Sequence, residues 1–341
     1  MKVLITGSEG YIGALMRDVL IERGHEVHGI DTGFFNEGDF HRKPTPIPVL
    51  KRDMRQLEVS DLAGFDAICH LAALSNDPLG NLDPSLTVDI NTRASIRLAE
   101  LAREAGVQRF LFSSSCSMYG QGESMALTED ANFNPVTEYA RSKVAVESAV
   151  RELASDDFSP TYFRNATAFG LSPRLRFDLV VNSLTGWAFT AGAIRMTSDG
   201  TPWRPLVHIH DISRAFACAL EAPLESIHNK AFNVGRNAFN YQIRQVAEMV
   251  QEFFPDCELS FGSSDGDART YNVDFSRIER ELPGFGHAKI DVRQGIAELK
   301  EACEQIALTD EAFHGRLYTR LMQINYLRET GAIDDRLFWT Q

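Results

Sequence analysis

The stretch Met1–Gly13, MKVLITGSEGYIG, reads as a short apolar strand (Val3, Leu4, Ile5) running into a glycine-rich turn and then a helix. Gly7, Gly10 and Gly13 stand at G-x-x-G-x-x-G spacing. In a dinucleotide-binding turn the first glycine permits a sharp reversal and the second lets backbone N–H groups approach a pyrophosphate. The third lets the helix pack closely. The helix N-terminus then offers unpaired donors and a partial positive charge to phosphates. Glycine turns also arise by chance, so context decides. Here a strand precedes, an amphipathic helix follows (Ile12, Leu15, Met16, Val19, Leu20), and a second strand ends in an acid at Asp31. That carboxylate either accepts both hydroxyls of an adenosine ribose, which favours NAD over NADP, or caps the turn at Thr32-Gly33.

With 341 residues, 44% hydrophobic and 24% charged, the chain holds one large or two modest domains with a substantial core. A net charge of −13 argues against nucleic acid or an anionic membrane surface as the main partner, while a local basic pocket still suits an anionic small molecule. No apolar run approaches the roughly 20 residues of a membrane span. The first strand starts at Met1, so no leader peptide is expected. Five scattered cysteines without a C-x-x-C pair suggest neither zinc nor disulfides, and a reduced, cytoplasmic protein is expected.

Strands are predicted near 1–6, 25–30, 66–71, 108–114 and 159–164, alternating with helices near 11–23, 85–105 and 137–153. That alternation predicts an α/β fold, a Rossmann-type doubly wound parallel sheet. The Pro-rich run Lys43–Pro48 reads as a loop. Beyond about residue 165, loops near 170–178, 198–206 and 262–270 alternate with helices near 179–190, 211–221 and 240–253. These predict a smaller, interleaved C-terminal substrate-binding lobe. The expected division is 1–165 for the dinucleotide domain, with some later segments returning to it, 166–300 for the substrate lobe, and 301–341 for a helical extension. In the extension Leu317, Leu321, Ile324 and Leu327 recur at helical spacing, as in a packing or oligomer element with no chemistry of its own.

Tyr139-Ala-Arg-Ser-Lys143 places Tyr and Lys on one helix face. A phenol acting as a base near neutrality needs stabilising by about 3 pKa units, roughly 4 kcal/mol. One cation about 4 Å away at an effective dielectric of ~20 is worth roughly that much. Alone, the pair reads equally as a surface helix. The strand Arg109–Phe112 adds a hydroxyl cluster, Ser113-Ser114-Ser115-Cys116-Ser117, at the sheet edge where open α/β folds bind ligands.

Together these motifs closely resemble the extended short-chain dehydrogenase/reductase family, particularly its NAD-dependent nucleotide-sugar epimerases and dehydratases of the UDP-galactose 4-epimerase type. The resemblance covers roughly residues 1–300. It includes GSEGYIG, Asp31, Arg52–Arg55, His70–Ala73, Asn91, SSSCSMYG, YARSK, Arg164–Gly170 and Trp203–Asp211. It implies that Ser115, Tyr139 and Lys143 form the catalytic triad. It assigns NAD to Gly7, Gly10, Tyr11, Ile12, Gly13, Asp31, Asp53, Met54, Leu71, Ala72, Ala73, Tyr139 and Lys143. A nucleotide-diphosphate sugar is expected at Ser75, Asn165, Asn182, Arg204 and Arg269. The two arginines suit a diphosphate, or else pair on the surface. Arg174 and Arg176 are expected to meet the nucleotide or a carboxylate on the sugar. Ser75, Asn76 and Asp77 either read sugar hydroxyls or form an Asx turn before Pro78.

In that family, Tyr139 would take a proton from a sugar hydroxyl, most often at C4, while hydride passes to NAD. The family's 4,6-dehydratases carry Asp then Glu directly after the catalytic hydroxyl residue, whereas this chain has Cys116 and Ser117. Dehydration and decarboxylation are therefore disfavoured, and C4 epimerisation with internal hydride return is the first expectation. Cys116 and Ser117 are the possible acid/base or substrate contacts, and for Cys116 a small packing residue is the preferred reading over a chemical one. A keto-sugar reductase, a lyase and a non-catalytic NAD-binding regulator are the competing readings. A homodimer is expected through the helices near 85–105 and 137–153, whose apolar stripes (Ile90, Ala94, Leu98, Leu101; Val144, Ala145, Ala149) are otherwise core faces.

Overall fold

The computed structural model describes residues 1–75, 83–120, 126–263 and 270–340. The first half follows the predicted alternation: β1 (Lys2–Thr6), α1 (Gly13–Glu22), β2 (Glu26–Asp31), β3 (Val49–Lys51) and β4 (Ala67–His70). Helical residues 84–104 (α2) then lead through a π-helical segment, Val88–Arg93, to β5 (Arg109–Ser115), α3 (Glu138–Arg151) and β6 (Ser159–Asn165). Val3 and Ile5 pack on α1 from one sheet face, while Leu4 packs with Leu98 and Val146 on the other. Both faces are buried, which is why these strands read as unbroken apolar runs rather than alternating ones.

The main sheet has seven strands, all paired in parallel, in the order β10-β6-β5-β4-β1-β2-β3. The order reverses between β1 and β4, so the ends of these strands open a crevice where doubly wound folds bind ligands. Two of its strands carry no local signal in the sequence. β3 is three residues after the Pro-rich loop, and β10 (Lys230–Val234) returns from the second half to pair with β6.

The second half contains β7 (Thr167–Phe169), α4 (Val180–Ala191), β8 (Ala193–Arg195), β9 (Trp203–His208) and α5 (Ile209–Glu221). After β10 follow β11 (Asn240–Gln242), α6 (Ile243–Phe253), β12 (Glu258–Ser260), α7 (Val292–Gln305) and α8 (Arg320–Glu329). β9 replaces the loop expected near 198–206. It pairs in parallel with β7 and antiparallel with β11, and both partners are three residues long and distant in sequence. Helix α5 packs with α1 in the core of the main sheet. Within the stripe expected to pair protomers, Ala94 and Leu98 are buried in the chain's own core. No helix among the described residues is long and apolar enough to cross a membrane.

Candidate active site

A cleft of about 670 Å³ opens at the C-terminal ends of the central strands. Gly7, at φ +76°, turns the chain so tightly that a Cβ there would lie 2.8 Å from the backbone nitrogen of Ala72. A Cβ on Gly13 would run into the Gly7 carbonyl, so α1 can start this close to the turn only with glycine. No side chain caps α1 and its first turn carries no acid, so no protein anion competes for the positive end of the helix. Asp31 accepts the Glu9 N–H at 2.9 Å and the Gly33 N–H at 2.8 Å, and burial raises its pKa against those two bonds. It therefore caps the turn and lines the cleft at once. Gly10, Tyr11, Ile12, Asp53, Met54, Leu71, Ala72 and Ala73 line the same end. Asp53 is held by its own turn, accepting from the backbone and side chain of Arg55.

Further along, β5 delivers Ser115 and α3 delivers Tyr139 and Lys143. Thr137 caps α3 by accepting the Ala140 N–H, which fixes the turn that carries Tyr139. Lys143 is 4% exposed; its Nζ donates to Ser113 O at 2.7 Å and lies 5.5 Å from the Tyr139 ring centre. Burial lowers the Lys143 pKa to about 7, with the Glu147 carboxylate opposing. His70 stays neutral, its pKa lowered to about 3 by burial and by Lys143; its ring bridges Thr6 Oγ1 and Ser95 Oγ. Ser115 Oγ accepts the Ser117 N–H at 3.1 Å. Ser114 Oγ, Ser117 Oγ and Asn165 Oδ1 line the cleft, buried and without a hydrogen-bond partner. Native interiors rarely tolerate such orphans, so this wall is built for a polar ligand.

Several expected contacts lie elsewhere. Cys116 is 1% exposed and turns into the core, donating to Arg164 O at 3.1 Å, and burial holds its thiol pKa well above the ordinary range. It is a packing residue without acid/base capacity. Asn182 is fully buried: its Oδ1 accepts the Gly170 N–H, and its Nδ2 donates to Tyr11 Oη and Arg176 O. Every polar atom of its amide is committed, so it braces the site rather than touching substrate. Arg174 pairs with Glu9 and Asp39, away from the cleft. Arg176 does line the cleft, but Asp178 neutralises it through Nε and Nη2, leaving Nη1 to donate to Ser75 Oγ at 3.0 Å. Arg204 lines the opposite wall near the ring of Tyr271. Asn76, Asp77 and Arg269 lie outside the described residues.

Sequence reasoning missed Asp178, Tyr271, Phe34, Phe35, Arg320 and Ile324, all of which line the cleft. The last two come from α8, so the C-terminal extension reaches the site it was expected only to flank. The aromatic pair at 34–35 directly follows the Asp31 turn, and that proximity was the one available signal.

The model of the family described as NAD dependent epimerase/dehydratase matches residues 3–235. The chain belongs to this family. A UDP-glucose 4-epimerase of Corynebacterium glutamicum is 31% identical over 267 residues, covering 74% of this chain and 80% of its own. Among solved structures, MoeE5 in complex with UDP-glucuronic acid and NAD superposes with a TM-score of 0.78 at 25% identity, over 90% of this chain and all of its own. The UDP-glucose 4-epimerase of Thermotoga maritima, at 21% identity and a TM-score of 0.78, shares the fold. The cofactor of this family is NAD, and the residues here fit it: an uncapped helix start, glycines that a Cβ would block, and an acid at the end of β2.

Proposed function

We propose that the protein interconverts nucleotide-diphosphate sugars by epimerisation at C4, through a transient 4-keto sugar. The observation that carries this reading is that, among the described residues, no free carboxylate stands beside Tyr139. Among the described residues only Asp31, Asp53 and Asp178 line the cleft as acids. Asp31 and Asp53 hold backbone and arginine donors at the adenosine end. Burial pushes the Asp178 pKa up, but its ion pair with Arg176 outweighs that and keeps it below the ordinary range. A carboxylate held ionised in a bidentate pair is a poor acid and a poor base for removing water.

NAD, when bound, accepts hydride from the sugar carbon and returns it. The protein's part follows from its own groups. Tyr139 takes the hydroxyl proton, and Ser115 hydrogen-bonds the same oxygen. As the base, Tyr139 must first be a phenolate; a cation about 5 Å away at an effective dielectric of ~20 favours that form by roughly 3 kcal/mol, which is the service of Lys143. In return the phenolate favours the charged form of a lysine that burial alone would half neutralise near pH 7. Arg204 and Tyr271 hold the substrate's diphosphate and nucleotide. The small side chains of Ser115 and Ser117 leave the ketone room to turn and present its other face. Relatives named UDP-glucose 4-epimerase support a uridine diphosphate sugar. The paired state of Arg176 favours neutral hydroxyls over a sugar carboxylate. A homodimer belongs to the same proposal.

The test is product analysis by mass spectrometry and NMR after incubation with UDP-sugars in deuterated water. The expected product has unchanged mass, inverted C4 and no deuterium on carbon. Loss of water or carbon dioxide, or turnover only with added NADH or NADPH, would overturn the proposal. Tyr139→Phe should abolish turnover while bound NAD is retained, and Cys116→Ala should leave turnover within about twofold.

A further inference from the structure

Arg320, the first residue of α8, is 3% exposed and lines the cleft with its guanidinium 4.2 Å from the Phe35 ring centre. Its Nη2 donates to Arg174 O at 3.1 Å. Arg174 and Arg176, buried nearby, each hold a carboxylate. Arg320 has none within ion-pair distance among the described residues. Its neighbour Asp178 accepts its backbone N–H at 3.4 Å and spends its carboxylate on Arg176. Burial, reinforced by repulsion from Arg176, pulls the Arg320 pKa down to about 9, with Asp178 and Asp31 opposing. A guanidinium buried without an anion is costly, and an anionic ligand at its fork would offset that cost.

The surrounding chain shows which anion. Trp339 Nε1 donates to Thr32 O at 2.7 Å, and Gln323 Nε2 donates to Phe34 O at 2.9 Å. Ile324 and Leu327 pack with Phe34, Leu74 and Leu86, and the Phe338 ring lies 3.8 Å from the Arg55 guanidinium. These attachments are to the loop that follows Asp31, to Arg55 beside Asp53, and to Leu74 and Leu86. MoeE5 is matched along its whole length yet covers only 90% of this chain, so about a tenth of this chain has no counterpart in it.

We propose that residues 316–340 form a cover over the cofactor and that Arg320 pairs with the diphosphate of the dinucleotide. This rests on NAD being the bound cofactor. The fork of N–H donors suits two phosphate oxygens, and the cover excludes the water that would otherwise weaken the contact.

The experiment measures binding of NAD, ADP-ribose and UDP to cofactor-stripped wild type, Arg320→Gln and Arg320→Lys by calorimetry, with melting temperatures with and without each ligand. Arg320→Gln should weaken NAD and ADP-ribose by roughly 10- to 100-fold, the range for a charge-assisted bidentate contact, and leave UDP unchanged. Arg320→Lys should fall between. The stripped Arg320→Gln protein should melt no lower than wild type, because it loses an unpaired charge, while its stabilisation by NAD shrinks. Unchanged NAD affinity, or a loss confined to UDP, would overturn the proposal; the latter would assign Arg320 to the substrate's diphosphate. A stripped variant that melts well below wild type would also overturn it, marking Arg320 as structural. If wild type binds UDP but neither NAD nor ADP-ribose, the cofactor reading itself fails, a result distinct from all of these.

Discussion

At the residue scale, Lys143 shows what one buried charge costs the fold. Its pKa is about 7 in the folded protein, against roughly 10.4 for a free lysine. Between those values the unfolded chain binds more protons, so the stability of the cofactor-free protein rises with pH across that window. Below about pH 7 the whole penalty is present. Lys143→Met removes it, and the variant should be more stable than wild type at pH 7 by a small number of kcal/mol, on the order of 2 once the stranded Ser113 carbonyl is counted. Urea unfolding at pH 7 and pH 9.5 reads this: the two proteins should converge at the higher pH, and parallel behaviour would contradict the lysine's role. The same scale shows where sequence reading stops. Spacing sets Tyr139 and Lys143 on one helix face and Ser115 at a strand end, while their reading as a triad comes from the family resemblance. Packing is the preferred sequence reading of Cys116 although its neighbours on both sides line the cleft, and the tertiary structure shows its thiol turned towards Arg164 O.

At the scale of elements, the glycine turn and α1 work as one unit whose geometry tolerates no side chain. Gly13→Ala would set a methyl against the Gly7 carbonyl and the Ser8 backbone, neither of which can swing aside as a side chain would. The turn must therefore open, and NAD affinity should drop at least tenfold with only a modest fall in melting temperature; calorimetric titration beside thermal unfolding separates the two. Legibility divides along the same line. β1, β2, β4, β5 and β6 announce themselves as apolar runs between turn signals, because each is buried on both faces. β9 and β10 are recruited by partners far away in sequence, so their residues carry no period of their own. Helix α8 showed its apolar spacing plainly. Nothing local said that this face would meet Phe34 and Leu74 or that Arg320 would enter the cleft, because those contacts join residues roughly 250 to 290 apart in the chain.

At the scale of the whole molecule, the lobes are tied through the site itself. Tyr11 of the glycine turn donates to Gly170 O at 2.7 Å, and Asn182 clasps both Tyr11 Oη and the Gly170 N–H. The sheet adds a stronger bond between the halves, since β10 comes from residues 230–234 to pair with every residue from Thr161 to Asn165. A fragment ending at residue 165 would therefore lack its last strand, leaving β6, buried along its whole length, as an open edge. Such a fragment should aggregate when produced alone and be rescued into solution by co-expression of 166–341, as size-exclusion chromatography would show. β10 is one of the later segments expected to return to the dinucleotide domain, so a gene cut after residue 165 would part the sheet from its outermost strand, and the nucleotide half would have to borrow it back from its neighbour.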